Sequence, residues 1–223
     1  MCGRFTLRTR AADLVKFFGL SGSIPDLSPR WNVAPTQQIL AIRWGLSGRQ
    51  PLWLRWGLIP AWAKDMKIAS SLINARADTV SEKPSFRSAF KKRRCLVVAD
   101  GYYEWQVHGK AKVPFMVTML DGSPFAFAGL WEQWNRPSSG PIETCSTITT
   151  DPNELMATVH DRMPVILQPA DYDRWLDPTN QDIDELESLL VPYPSEEMRV
   201  EEVSTVINNA RNEVDPRLGE NDD

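Results

Sequence analysis

From residue 38 to residue 150 the chain is a succession of short apolar or alternating runs, most of them closed by a glycine-bearing turn, and that rhythm admits few folds. Residues 38–44 and 52–56 read as a hairpin joined through Gly45, Ser47 and Gly48, and residues 95–99 form a continuously apolar strand. Further strands are expected at 102–107, 113–119, 125–130 and 144–150, punctuated by Gly101, His108-Gly109 and Asp121-Gly122. The pattern predicts a meandering antiparallel β core. Helical signals lie at its margins. Thr9 is placed to cap a helix over 11–18 that puts Leu14, Phe17 and Phe18 on one face and stops at Gly19. Asp151 as N-cap, with Pro152 at the first helical position, starts a short helix ending near Val159. Helices at 170–176 and 183–190 precede a last strand at 198–203. With no internal repeat or low-complexity linker, residues 1–215 are expected to form a single α+β domain, mainly antiparallel β, barrel-like or in twisted sheets, with short peripheral helices. Residues 216–223 read as an acidic, disordered tail.

A chain of 223 residues that is 42% hydrophobic, with nine tryptophans, can bury a sizeable core. It contains no run of 18 apolar residues, and its start lacks the order of a secretory signal, so the expected setting is cytosolic, or nuclear in a eukaryote. Cys2, Cys95 and Cys145 are odd in number and far apart, which encodes neither a disulfide framework nor a CxxC metal site. His108 and His160 are the only histidines, which argues against a His-rich zinc site; no metal and no cofactor is expected. The net charge of −4 conceals a division: residues 1–180 hold 22 basic and 16 acidic side chains, residues 181–223 hold 3 and 13. Within the basic part, Lys83, Arg87, Lys91, Lys92, Arg93 and Arg94 fall in one stretch free of acid. That is the footprint of phosphate contact, or of a solvated helix face.

Cys2 follows the initiator methionine directly. Removal of Met1, which a small second residue permits, leaves a thiol and a free α-amine on adjacent carbons. The amine condenses with an aldehyde to an imine, and the thiol then closes a five-membered thiazolidine on the same carbon. Reference pKa values of about 8 for the amine and about 8.5 for the thiol give each a nucleophilic fraction at neutral pH. A chain that keeps Met1 is unprocessed and cannot form the imine. The plain alternative is a frayed terminus with no role.

Three further stretches carry polar residues that folding does not demand. In Leu72-Ile73-Asn74-Ala75-Arg76, an amide and a guanidinium fall on alternate positions of one face, suited to a sugar oxygen and a phosphate, or to a turn and a surface cation. In Gly101-Tyr102-Tyr103-Glu104-Trp105, aromatic neighbours that desolvate Glu104 would raise its pKa toward that of a general acid or base; an outward glutamate is the alternative. His160, at a helix end beside Asp161 and Arg162, is tunable near neutrality or simply packed.

Together with Met-Cys-Gly-Arg-Phe at the start, Trp31-Asn32-Val33-Ala34-Pro35, Arg55-Trp56-Gly57-Leu58-Ile59-Pro60, Ile73-Asn74-Ala75-Arg76-Ala77, Asp100-Gly101-Tyr102-Tyr103-Glu104-Trp105 and His160-Asp161-Arg162-Met163-Pro164, the chain resembles the SRAP family of SOS-response-associated peptidases, sensors of abasic sites. The resemblance runs to about residue 210, with one departure: Asp78 stands where glutamate is expected. It implies an SRAP-like fold. It also implies that the processed Cys2 crosslinks to the ring-opened aldehyde of an abasic site in single-stranded DNA, with slow strand-cleaving lyase activity and self-removal of Met1 as accompaniments. By the same resemblance, Asn74 holds the sugar and the terminal amine, Glu104 handles proton transfers on the imine, and His160 protonates the ring oxygen or the departing hydroxyl. Arg4 and Arg76 grip phosphates, Pro35 and Trp62 wedge or stack against bases, and Arg87, Thr149 and Arg162 are weaker contacts to the DNA backbone. A monomer acting on single-stranded DNA, with no membrane partner, is expected. Two other classes stay open: an N-terminal-nucleophile amidotransferase, which also begins Met-Cys-Gly, and a noncatalytic single-strand binding module.

Overall fold

The computed structural model describes residues 2–24, 26–109, 111–136 and 140–217. Among these residues, twelve strands carry the architecture: β1 (Arg4–Leu7), β2 (Arg30–Val33), β3 (Gln38–Gly45), β4 (Gly48–Trp56), β5 (Asn74–Arg76), β6 (Arg94–Ala99), β7 (Gly101–His108), β8 (Ala111–Met119), β9 (Phe125–Arg136), β10 (Gly140–Thr150), β11 (Met163–Pro164) and β12 (Met198–Glu202). Four short helices accompany them among the described residues: α1 (Ala11–Phe18), α2 (Arg87–Lys92), α3 (Tyr172–Leu176) and α4 (Ile183–Glu187).

One sheet has the order β12-β8-β7-β1-β2 and is antiparallel throughout. In the other, β10, β4, β3, β6 and β9 pair in turn and β9 pairs back to β10, which closes a five-stranded barrel. The fold is thus the expected β-rich α+β architecture with a barrel at its centre. Along one edge of β10 two parallel partners follow one another, β4 at Thr144 and Cys145, then β5 from Thr147 to Thr149. The handover occurs at Gly57, whose φ of 115° and close approach to the Ala69 carbonyl, 2.8 Å from where a Cβ would sit, exclude other residues.

Strand periodicity sorts the core into two layers. Ile39, Ala41, Leu54, Trp56, Cys95, Val97, Phe127 and Cys145 face inward with Cys2 and Tyr102, while Leu40, Ile42, Leu96, Val98 and Ala128 face the helices and meet Phe18, Phe90 and Trp175. Each fully buried large apolar side chain contributes roughly 1.5–3 kcal/mol. Helix α1 ends as expected at Gly19 in the left-handed conformation, with Leu14 and Phe18 buried, but Phe17 stays partly exposed.

Several expectations are corrected. Thr9 does not cap α1; Arg10 occupies that position, and the Thr9 amide and hydroxyl both donate to the Asp100 carboxylate. Residues 151–159 form a single 3-10 turn (Met156–Thr158), because the Asn153 carboxamide caps the Met156 N–H and itself donates to the Tyr193 carbonyl. The segments expected to be helical at 170–176 and 183–190 shrink to α3, preceded by a 3-10 turn, and α4. Arg94 is no phosphate ligand: it is buried, and its five N–H groups donate to the carbonyls of Phe90, Lys91, Trp175, Asp177 and Asn180, tying α2 to α3. Of the expected acidic tail, Pro216 is buried and Arg217 pairs with Asp215; residues 218–223 lie outside the described residues. Among the described residues no helix is long and apolar enough to cross a membrane.

Candidate active site

The site assembles where the start of the chain passes from the five-stranded sheet to the barrel. Cys2, just before β1, is fully buried, and its carbonyl oxygen accepts a hydrogen bond from Asn74 Nδ2 at 2.8 Å. Asn74 is held by the parallel register of β5 on β10, opposite Thr147, whose hydroxyl donates to Asn74 Oδ1. One amide therefore links the chain start to the barrel. Among the described residues, the Cys2 sulfur makes a single long donation, to the Arg4 carbonyl at 3.8 Å. Burial first, and then the neighbouring Glu104 charge, push its thiol well above the ordinary range, so the resting sulfur is neutral. This differs from the free-thiol value that the sequence suggested, and it means that nucleophilic attack requires a nearby base.

Glu104 comes from β7, which pairs with β1 through Arg4 and Tyr103. Only 2% of it is exposed. Burial raises its pKa, and the charge on His160 opposes that rise. This is the desolvated carboxyl that the aromatic neighbours of Glu104 predicted. His160 follows the 3-10 turn after β10. Its Nδ1 lies 3.0 Å from the Arg162 backbone nitrogen and 2.8 Å from Asp161 Oδ1, so that edge of the ring is held by both neighbours. Glu104 and His160 wall a cavity of about 590 Å³, together with Arg4, Trp105 and Lys112. Asn208 closes a further side and accepts from the Trp105 indole N–H at 2.7 Å.

Arg4 is anchored as it faces the cavity. Its Nη1 donates to Asn32 Oδ1 at 2.7 Å and to the Ile207 carbonyl at 2.9 Å, and its guanidinium lies 5.8 Å from the centre of the Trp105 ring. Asn32 is fully buried and donates to the carbonyls of Ile207, Asn209 and Asn212, so it fastens the 207–212 segment against β2.

The structure thus brings together Cys2, Arg4, Asn74, Glu104 and His160. Arg76 lies on the same face of β5 as Asn74 and is exposed, but it is paired with Asp78 at 2.5 Å. Trp62, 61% exposed, and half-buried Pro35 have surfaces a base could meet. The weaker candidates fare differently. The Thr149 hydroxyl is buried and donates to the Ala75 carbonyl, so it braces β5 instead of facing solvent. Arg162 has only 11% of its side chain exposed and donates to the Thr149 carbonyl and to Asp151. Arg87 is exposed on α2, whose buried residues Ala89 and Phe90 belong to the helix-side core and not to the layer that holds Cys2. The expectation concerning Met1 lies outside the described residues. Trp105, Lys112 and Asn208 were not singled out from the sequence. Lys112 is legible in retrospect from the β7–β8 register, which sets it opposite Val107, whereas nothing local marks Asn208. Among the described residues, no group of three or more His, Cys, Asp or Glu side chains could hold a metal ion.

A β-rich α+β chain thus buries a cysteine beside a carboxylate that shares a cavity wall with an imidazole. The family model for the SOS response associated peptidases (SRAP) matches residues 1–210, and the chain belongs to that family. It is 47% identical over 215 residues to the Abasic site processing protein YoqW of Bacillus subtilis, covering 95% of this chain and 96% of that one. It is 35% identical over 182 residues to the Abasic site processing protein HMCES of Xenopus tropicalis, covering 71% of this chain and 54% of that protein. A crystal structure of a protein from Bacteroides thetaiotaomicron superimposes with a TM-score of 0.86 at 29% identity, over 97% of this chain and 96% of that one.

Proposed function

We propose that the protein senses and processes abasic sites in single-stranded DNA by forming a thiazolidine crosslink through Cys2 once Met1 has been removed. The observation that carries this reading is the hydrogen bond from Asn74 to the Cys2 carbonyl, because it holds the chain start near Glu104, which lines the cavity together with His160. The relatives named abasic site processing proteins, aligned over most of this chain, support the choice of substrate.

The α-amine adds to the C1′ aldehyde, and water leaves as the imine forms; His160 protonates the departing hydroxyl. The sulfur then bonds to the same carbon, the C=N π pair moves to nitrogen, and the thiol proton passes through Glu104 to that nitrogen. A neutral thiol needs such a base, and a carboxylate with a raised pKa is suited to it. If the imine loses a proton from the sugar before ring closure, the strand breaks by β-elimination, which accounts for slow lyase activity. Arg4 and Arg76 meet phosphates beside the lesion, and Trp62 and Pro35 meet flanking bases. All of these groups lie on one chain, residues 1–215 acting as one domain and one copy sufficing. Self-cleavage after Met1 would expose the same amine.

The test mixes the processed protein with an oligonucleotide carrying one abasic site. A heat-resistant band on a denaturing gel is expected. Its absence, or an equal yield on an intact oligonucleotide, overturns the reading.

A further inference from the structure

Tyr102 and Glu104 stand two apart on β7 and so share a face, while Tyr103 between them points the other way and donates its hydroxyl to the Trp31 carbonyl at 2.9 Å. The Tyr102 ring is fully buried edge-on to Phe125 and Phe127, at 6.5 and 5.9 Å between centres. Its hydroxyl has no hydrogen-bond partner among the described residues, an exception for a buried phenol that calls for an explanation. Cys2 belongs to the same buried layer, and the lone pairs of its sulfur accept no hydrogen bond among the described residues. A donor without an acceptor and an acceptor without a donor therefore share one interior. Burial first, then the proximity of Cys2 and Glu104, push the phenol well above its ordinary range, so it keeps its proton.

We propose that the Tyr102 hydroxyl donates a hydrogen bond to the Cys2 sulfur as that sulfur closes on the imine carbon, which makes Tyr102 a catalytic residue of the thiol step alone. The phenol O–H bond stays intact; the hydrogen bond offsets the negative charge that gathers on sulfur while its proton departs. Imine formation, which uses only the amine, does not involve it. The inference rests on the reading of Cys2 as nucleophile given above.

Tyr102→Phe removes one oxygen that holds no protein partner among the described residues, so the fold is expected to survive with an unchanged or higher Tm. Two probes are used on processed protein: the abasic oligonucleotide, and formaldehyde, whose thiazolidine on an N-terminal cysteine is read by intact mass without DNA. With both, the variant is expected to form thiazolidine about tenfold more slowly, while borohydride traps imine from the oligonucleotide at the wild-type rate. Replacement of Tyr102 by 3-fluorotyrosine, a stronger donor of the same shape, is expected to restore the rate. Equal thiazolidine rates for wild type and Tyr102→Phe, or equal losses in the imine and thiol steps, overturn the proposal. Failure of the wild type on the abasic oligonucleotide alone overturns the DNA reading instead, and the formaldehyde measurement still decides Tyr102.

Discussion

Asn74 Nδ2 donates to the carbonyl oxygen of Cys2 at 2.8 Å, across 72 residues of sequence. That bond uses backbone, not thiol, so it sets the position of the chain start without consuming the nucleophile. It also needs a donor at that point. Asn74→Asp places an acceptor against the carbonyl oxygen and is expected to reduce crosslinking by at least tenfold, read as initial rate of heat-stable product. A wild-type rate in Asn74→Asp would remove Asn74 from the site.

Cys2→Ser is expected to abolish the heat-stable product while leaving an imine that borohydride can trap, because an oxygen nucleophile closes only a weaker ring and the amine is untouched. Gel analysis with and without reductant separates the two. Heat-stable product at the wild-type level from the serine variant, without reductant, contradicts ring closure through sulfur.

Glu104→Gln keeps the shape of the side chain and removes proton transfer, so crosslinking should slow by about 10²- to 10⁴-fold with DNA affinity nearly intact. Stability gives an independent reading. Burial raises the folded pKa of Glu104, so its ionisation opposes folding above the ordinary glutamate range, and that penalty disappears as pH falls below it. The variant should therefore melt higher than wild type at neutral pH and converge with it in acid. A lower Tm at neutral pH would mark Glu104 as structural.

Arg76 is not free to meet a phosphate while Asp78 holds it. Asp78→Asn should release the guanidinium and tighten binding to single-stranded DNA by about two- to fivefold, in keeping with the small energy of an exposed ion pair. Arg76→Ala should lower the salt dependence of binding by about one phosphate without altering base preference. Titrations at several salt concentrations check both, and an unchanged slope in Arg76→Ala would put the DNA elsewhere.

Asp100 fixes the turn from β1 into α1. Burial alone would raise its pKa, but donation from Thr6, Arg8 and Thr9, with the charge of Arg8, holds it below the usual carboxylate range. That stabilisation is complete above the ordinary aspartate range and is lost as pH falls through the depressed value. Asp100→Ala should cost about 3 kcal/mol near neutrality, with the gap narrowing in acid, as denaturant unfolding at two pH values would show.

The strands and the stop of α1 were legible because they obey local rules: a two-residue period, and a glycine where a left-handed residue is needed. Thr9 misled because the competing acceptor, Asp100, lies 91 residues away. Residues 151–159 misled because Asn153 is drawn to Tyr193, 40 residues on, at the expense of a full helix. The site divides in the same way. Cys2, Asn74, Glu104 and His160 stand in compact motifs whose chemistry shows in their neighbours. Thr149 and Arg162 look equally polar on paper, yet they spend their polar groups on bracing β5 and the turn that carries His160. The run ending at Arg94 carries the same lesson, since a guanidinium suited to phosphate is equally suited to a ring of helix-terminal carbonyls.

The segment that closes the cavity with Asn208 has a second effect a few residues further on. Strand β2 is the outer strand of its sheet, and Glu213 accepts the N–H groups of Trp31 and Asn32 while pairing with Arg30 at 2.7 Å. An unpaired outer strand is a template on which another polypeptide can add. Glu213 occupies two of its amides with a charged side chain that cannot propagate a ladder. The loop that shapes the cavity thus also guards the molecule against edge-to-edge polymerisation.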